Sequence, residues 1–400
     1  MYNEFENVQL KLHPGRYNAH PDNFGAIKFK RIGMGMKGAT YSANDAVLDC
    51  NQKSCIDVDT SQKEYAPVSL LRLTFTNASA NGRDNALQEN HKYTGAVIRL
   101  VGTHDPSFTG IKISNCVFEL NTAKTGGALY ADCSKHSFGI VFQDVVFRNN
   151  VAEGSKGGGA IRIHNCSTRM ERVTFESNVA LDGGGGAGRF SLGNLRADAL
   201  VAKYNEAKGK DGGGAFRLNG TALTIAGDSN VCKHNKASNS VTSGGACLYA
   251  EYATMDIELW DVANNAAETN GGAIRCMGSK LNVRNSIFSQ NSAKNDGGSI
   301  SGMLCNSEFI GTTFTNNTAG IHLAARAGVG YGGAIHLGPG SGILLVSSTF
   351  DSNTANAGGG AMTCDSCDEN AVFYGTSFSK NHARGKVLYP QHLLTTFCFS

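Results

Sequence analysis

The sequence predicts an all-β chain wound as a right-handed parallel β-helix of about twelve to thirteen coils. Three observations point there: a Phe-x-x-Asn-x-Ala signature that recurs throughout, a Gly-Gly-Ala signature that alternates with it, and apolar alternation of period two between them.

The first signature is anchored by ten asparagines: Asn121, Asn150, Asn178, Asn205, Asn235, Asn265, Asn291, Asn317, Asn353 and Asn381. Their spacings are 29, 28, 27, 30, 30, 26, 26, 36 and 28 residues, the length of one coil with two or three short strands. The aromatic slot three residues upstream holds Phe118, Phe147, Phe175, Phe288, Phe314, Phe350 and Phe378, while Ala202, Cys232 and Val262 fill it in the other three coils. After each of the first nine repeats comes a glycine pair, as in Gly126-Gly127-Ala128-Leu129 and Gly271-Gly272-Ala273-Ile274.

Helices are excluded by the period and by the glycines. Apolar residues alternate at Ile161 and Ile163 and at Phe216 and Leu218, and again at Ile111 and Ile113 or Leu281 and Val283 before the aromatic slot. A helical solenoid needs runs of period 3.6, which a glycine pair in every repeat would interrupt. In a stack of coils about 4.8 Å apart, equivalent side chains form columns. The phenylalanines are expected to make an aromatic stack, and the asparagines a ladder of amides. The glycine pairs are expected at corners. These residues are read as architecture and not as chemistry.

One domain is expected over residues 1–400, with irregular coils over 1–110, regular repeats over 111–385 and a terminal segment over 386–400. Early strand-turn units read at Leu12–Tyr17, Phe24–Ile27 and Val47–Cys50. Leu71–Asn77 with Gly95–Ile98 is a degenerate repeat, and Asn81–Tyr93 is a polar loop.

Composition narrows the function. The chain has 50 glycines but only 6 prolines, so it is not a disordered Pro/Gly-rich polymer, and 41% hydrophobic residues suffice for an extended core. A net charge of +3 without a basic run gives no reason to expect a nucleic-acid partner. No stretch is apolar enough for a membrane helix. No signal peptide is visible at Met1–Phe5, so these residues are expected to be a mature or excised piece.

Twelve cysteines suggest an oxidising compartment. Cys50 with Cys55 and Cys364 with Cys367 are candidate short-loop disulfides; the alternatives for Cys364-x-x-Cys367 are a redox pair or half a zinc site, and the zinc site lacks a second ligand pair. Cys232 in an aromatic slot is expected to be a buried thiol. Sequons at Asn77, Asn165, Asn219 and Asn316 permit glycosylation in a secretory pathway.

Phe-x-x-Asn alternating with Gly-Gly-Ala-Ile over residues 115–385 resembles the repeats of the chlamydial polymorphic outer membrane protein family. The resemblance implies a pectin-lyase-like right-handed β-helix at a cell surface, acting as an adhesin or surface antigen. Similar repeats occur in surface proteins of algae and other protists.

Catalysis on a glycosidic bond needs two carboxylates about 5 to 10 Å apart, which in a stack means acids in one column of neighbouring coils. Asp144, Glu171 and Asp256 sit at different offsets from their aromatic slots, so no such column is expected. Asp-Asp and Gly-His-Gly motifs are absent, and Arg162-Ile163-His164 falls short of Arg-Ile-Lys. Asp365 and Asp368 flank the Cys364/Cys367 loop and read as a solvated acidic loop, with a cation site as the alternative. No cofactor or metal is expected. Binding, if any, is expected on the longest insertion, Gly320–Tyr331 with His322, Arg326 and Tyr331, and secondarily on Arg189–Ala199 and Ala237–Ser243. The expected role is a non-enzymatic extracellular structural or adhesive β-helix, with surface or matrix proteins, glycans or further copies of itself as partners. The alternative is a carbohydrate-active β-helix enzyme with an unrecognised site.

Overall fold

The computed structural model describes residues 9–18, 27–29, 35–40, 42–59, 68–80, 94–101, 110–135, 138–239, 244–320, 329–365, 367 and 371–384. They form a right-handed parallel β-helix whose strands stack into three parallel sheets. Each coil runs through the first sheet, turns at the asparagine, and contributes a two-residue strand such as Thr122–Ala123 or Val151–Ala152 to the third. It then turns at the glycines and enters the second sheet with a strand such as Ile161–His164. Twelve strands stack in the second sheet and ten in the third among the described residues.

Register is kept from coil to coil, which is what turns a sequence repeat into a column. Phe118 pairs with Phe147 and Phe147 with Phe175. Their rings stack at 4.9 and 5.0 Å between centroids. The Phe288, Phe314, Phe350 and Phe378 rings form a second stack at 5.1, 4.7 and 4.9 Å. Between the two stacks Ala202, Cys232 and Val262 keep the register with smaller side chains. Phe75 extends the first stack backwards, 5.0 Å from Phe118. The degenerate repeat at 71–77 is thus a coil of the same column, with Ala78 where later coils have asparagine: its N–H donates to Asn121 Oδ1.

The ten asparagines are one continuous ladder. Asn150 Nδ2 donates to Asn178 Oδ1 and to the Phe118 carbonyl, both at 2.9 Å, and the Asn150 backbone N–H donates to the same Asn178 oxygen at 3.0 Å. The same three bonds recur at Asn178, Asn205, Asn235, Asn265, Asn291, Asn317 and Asn353. An amide buried at 0% exposure survives because both ends of its dipole are satisfied.

Turn chemistry is divided in a way the repeat does not advertise. The first glycine of a pair supplies positive φ, as at Gly271 (φ 64°), and the second supplies room, since a Cβ on Gly272 would overlap the Gly298 carbonyl. The asparagine corner instead places a non-glycine residue in the left-handed region immediately before each ladder amide, including Leu120 (57°), Tyr204 (57°), His234 (57°) and Asn316 (54°).

Five disulfides are present among the described residues: Cys50–Cys55, Cys133–Cys166, Cys232–Cys247, Cys276–Cys305 and Cys364–Cys367. The expectation of a free thiol at Cys232 is corrected. The aromatic slot and the residue after the Gly-Gly-Ala alanine face each other across the interior, as Phe175 and Phe216 do at 5.5 Å. Two cysteines at those places therefore meet. Among the described residues Cys116 is the free cysteine, buried, with desolvation pushing its thiol up to about 12.

Candidate functional site

Outward columns are where a β-helix meets its surroundings, because the first and third residues of each four-residue second-sheet strand point inward. The second residues of successive strands form one file: Arg99, Tyr130, Arg162, Arg189, Arg217, Tyr249, Arg275, Ser301, His336 and Thr363. No two of them are adjacent in sequence; the coil brings them together.

The arginines are held, not floppy. Arg189 Nη1 donates to Asp211 Oδ2 at 2.6 Å, and Arg217 Nη2 donates to Glu251 Oε2 at 2.5 Å. Arg162 Nη1 donates to the Lys156 carbonyl at 2.9 Å. The Arg217 guanidinium lies 3.8 Å from the centroid of the Tyr249 ring, and that of Arg275 lies 5.7 Å from it. Arg217 is buried, while Arg162, Arg189 and Arg275 are half-buried. Burial, and next the neighbouring Arg189, lower the Arg162 pKa to about 10, still well above neutral pH.

Several polar atoms along this file are sealed from solvent without a hydrogen-bond partner among the described residues. They are Arg189 Nε, Arg217 Nε and Nη1, Arg275 Nε, both His336 ring nitrogens and Thr363 Oγ1. His336 Nε2 stands 3.5 Å from Asp365 Oδ2. Burial lowers the His336 pKa, opposed by the Asp296 and Asp365 charges.

The sequence-predicted binding residues fall differently. His322 and Arg326 lie outside the described residues. Tyr331 closes the insertion: its N–H and that of Gly330 donate to Asp296 Oδ1 at 2.9 and 2.8 Å, and its ring sits 6.3 Å from that of His336. The region 189–199 is not a loop but parts of two strands, Gly188–Ser191 and Asn194–Lys203, and Arg189 joins the file. Of Ala237–Ser243 only 237–239 are described, and Ala237 pairs in the third sheet.

Among the sequons, Asn77 donates to Asp49 Oδ1 and Asn219 to Glu251 Oε2, both at 3.2 Å. Asn165 is half-buried and Asn316 exposed. Cys364 and Cys367 are bonded to each other, and no cluster of three potential metal ligands occurs among the described residues.

The acids need one correction. Asp144, Glu171 and Asp256 do occupy different columns, but Glu171 pairs directly with Asp198 on the next coil. Both acids lie four residues before their aromatic slots, Phe175 and Ala202, so counting back from the slot finds Asp198 once Ala202 is accepted as a slot residue; the left-handed Arg172 (φ 51°) and Ala199 (φ 51°) follow them at matching places. The pair sits on the open face of the first sheet amid Arg169, Arg172 and Arg196, with Arg169 Nη2 2.5 Å from Glu171 Oε1. Asp144 is clamped by Arg172, whose Nε and Nη2 donate at 2.5 and 2.9 Å and hold its carboxyl below the usual range.

Residues 311–338 match the model of the Chlamydia polymorphic membrane protein repeat. The repeats of this chain resemble that family's. The matched repeat contains the Phe314–Asn317 corner, the long insertion and Gly332-Gly333-Ala334-Ile335. Solved structures that are similar include the A-module of Azotobacter vinelandii mannuronan C-5 epimerase AlgE6, at 12% identity over 93% of this chain and 91% of that one, with a TM-score of 0.45. A PL6 alginate lyase gives 11%, 96%, 81% and 0.33, and the AlgE4 A-module of Azotobacter vinelandii gives 9%, 96%, 90% and 0.28. No curated protein sequence matches the chain.

Proposed function

We propose that this chain is an extracellular structural or adhesive β-helix that works as a rigid rod without chemistry of its own. The observation that carries the reading is the set of five disulfides inside a solenoid of polymorphic-membrane-protein-like repeats. Disulfides persist in oxidising, extracellular settings. The fully stacked interior gives such a rod the stiffness that a surface spacer or adhesin needs.

A second reading, a carbohydrate-active enzyme, is favoured by one feature, the Glu171 and Asp198 pair in register on adjacent coils, whose backbones lie about 4.8 Å apart. The two readings separate in one assay. Incubation with polygalacturonate and alginate, read for new reducing or unsaturated ends, is expected to show no turnover. Turnover that disappears in Glu171→Gln or Asp198→Asn would overturn the structural reading.

A further inference from the structure

Arg162, Arg189 and Arg217 are directly opposed on three consecutive strands. Like charges placed opposite each other destabilise a sheet, and half-burial weakens the solvent screening that would soften the repulsion. Asp211 and Glu251 compensate two of the three. Arg162 bonds only a carbonyl, with Asp132 and Asp211 acting on its charge through space without an ion pair, and Arg275 has no carboxylate within ion-pair distance among the described residues. Arrangements that a fold penalises are retained where they serve something outside it.

We propose that this file is a binding rail for a linear polyanionic glycan, a polyuronate with one carboxylate per ring, lying along the helix axis. The chemistry follows from charge and pitch. Guanidiniums bind carboxylates through paired N–H donors, and here they are fixed by Tyr249, Asp211, Glu251 and the Lys156 carbonyl, so little side-chain freedom is lost on binding. Successive positions are about 4.8 Å apart, close to the advance of one sugar ring in an extended chain; where successive rings face opposite ways, carboxylates on one side recur at every second coil and stay in step. A nucleic-acid strand places its phosphates about 3.4 Å apart per residue of duplex. An extended peptide presents same-face side chains about 6.8 Å apart. Neither keeps step with the coils.

This rests on the adhesive reading and supplies its ligand. The test is calorimetric titration of the full chain with polygalacturonate oligomers of graded length at low salt, with dextran and poly(A) as comparisons. Binding is expected to strengthen with length, to weaken with salt and to fail with dextran. The double variant Arg162→Gln, Arg275→Gln is expected to lose about tenfold or more in affinity. Lys112→Gln with Lys203→Gln, on the first sheet, is expected to stay within about twofold. If the double variant does not fold, Arg275→Gln alone carries the same expectation. No binding of polygalacturonate by the unaltered chain, equal losses in both double variants, or poly(A) binding as tightly as polygalacturonate would each overturn the proposal. Cleavage of the oligomers would refute the non-enzymatic reading instead, while the effects of the Arg162 and Arg275 changes on binding would still decide this one.

Discussion

Replacing Asn178 by Ala tests whether the asparagine ladder holds the coils together or merely decorates a corner. The Asn178 oxygen accepts from the Asn150 amide at 2.9 Å and from the Asn150 backbone at 3.0 Å, and its own nitrogen donates to the Phe147 carbonyl at 2.9 Å and to Asn205 at 3.0 Å. Truncation therefore orphans two donors on one side and two acceptors on the other. The carbonyl and the Asn205 oxygen each retain a second lone pair or partner, so the two stranded Asn150 donors dominate. At about 1 to 3 kcal/mol for each buried unsatisfied group, the loss is about 2 to 6 kcal/mol. It should appear as a lower denaturant midpoint and as faster amide exchange concentrated in the coils around 150, 178 and 205, since a solenoid couples mainly to its neighbours. Asn178→Asp is the sharper variant. It keeps the acceptor but turns an oxygen towards the Phe147 carbonyl and the Asn205 oxygen, so it should be as harmful as Ala at neutral pH and partly recover in acid. A loss below about 1 kcal/mol in both variants would refute the claim that the ladder is a principal stabiliser.

Phe147→Ala should cost about 3 to 5 kcal/mol, because the ring is fully buried between Phe118 and Phe175 with the edge of Phe142 against it; denaturant unfolding reads this directly. Removing Cys276–Cys305 by serine substitution should destabilise by about 3 to 4 kcal/mol and removing Cys50–Cys55 by about 2, since the loops closed differ by 29 residues against 5; equal losses would argue against the loop-entropy account. Acidification should weaken the coils around 336. His336 has a lowered folded pKa, so its contribution is complete above its ordinary pKa near 6.5 and is lost as pH falls below it. The midpoint should begin to drop as pH falls through about 6.5, less so in His336→Leu, and identical pH profiles would refute the assignment.

The fold was legible because its determinants are periodic and carried by residue type. Phe, Asn and Gly at fixed offsets specify a stack, a ladder and two kinds of corner, and a reader needs only the period. What escaped were relations that the repeat signature does not spell out. Asp198 faces Glu171 at the same offset from a slot that holds Ala202 in place of phenylalanine, and Cys232 meets Cys247 across the interior of one coil and not along the repeat. The arginine file escaped for a related reason. Its members are spaced by 27 to 28 residues where consecutive, from Arg162 to Arg189 to Arg217, so they never form a basic run. They lie two residues after an alanine that was already assigned a structural job. Aligning the coils and reading outward positions down the stack, rather than along the chain, would have found them.

The same logic says where function can reside in such a molecule. Each inward column repeats because every coil solves the same packing problem, so a departure inside, such as Ala202 in the aromatic slot, changes volume without creating a site. Outward columns are under no such pressure: the file through Arg169 and Arg196 opposes two exposed arginines and then passes to Thr224, Asp256 and Asn282. Against that background three opposed arginines, partly desolvated and only partly neutralised, are not what folding selects. Glutamine or threonine at these positions would remove the repulsion. Neutralising Arg162 alone is therefore expected to leave stability unchanged or raise it by a few tenths of a kcal/mol, while weakening polyuronate binding. A gain in stability together with a loss of binding is the signature of a residue kept for its ligand, and a loss of stability would show instead that the file is held for the fold.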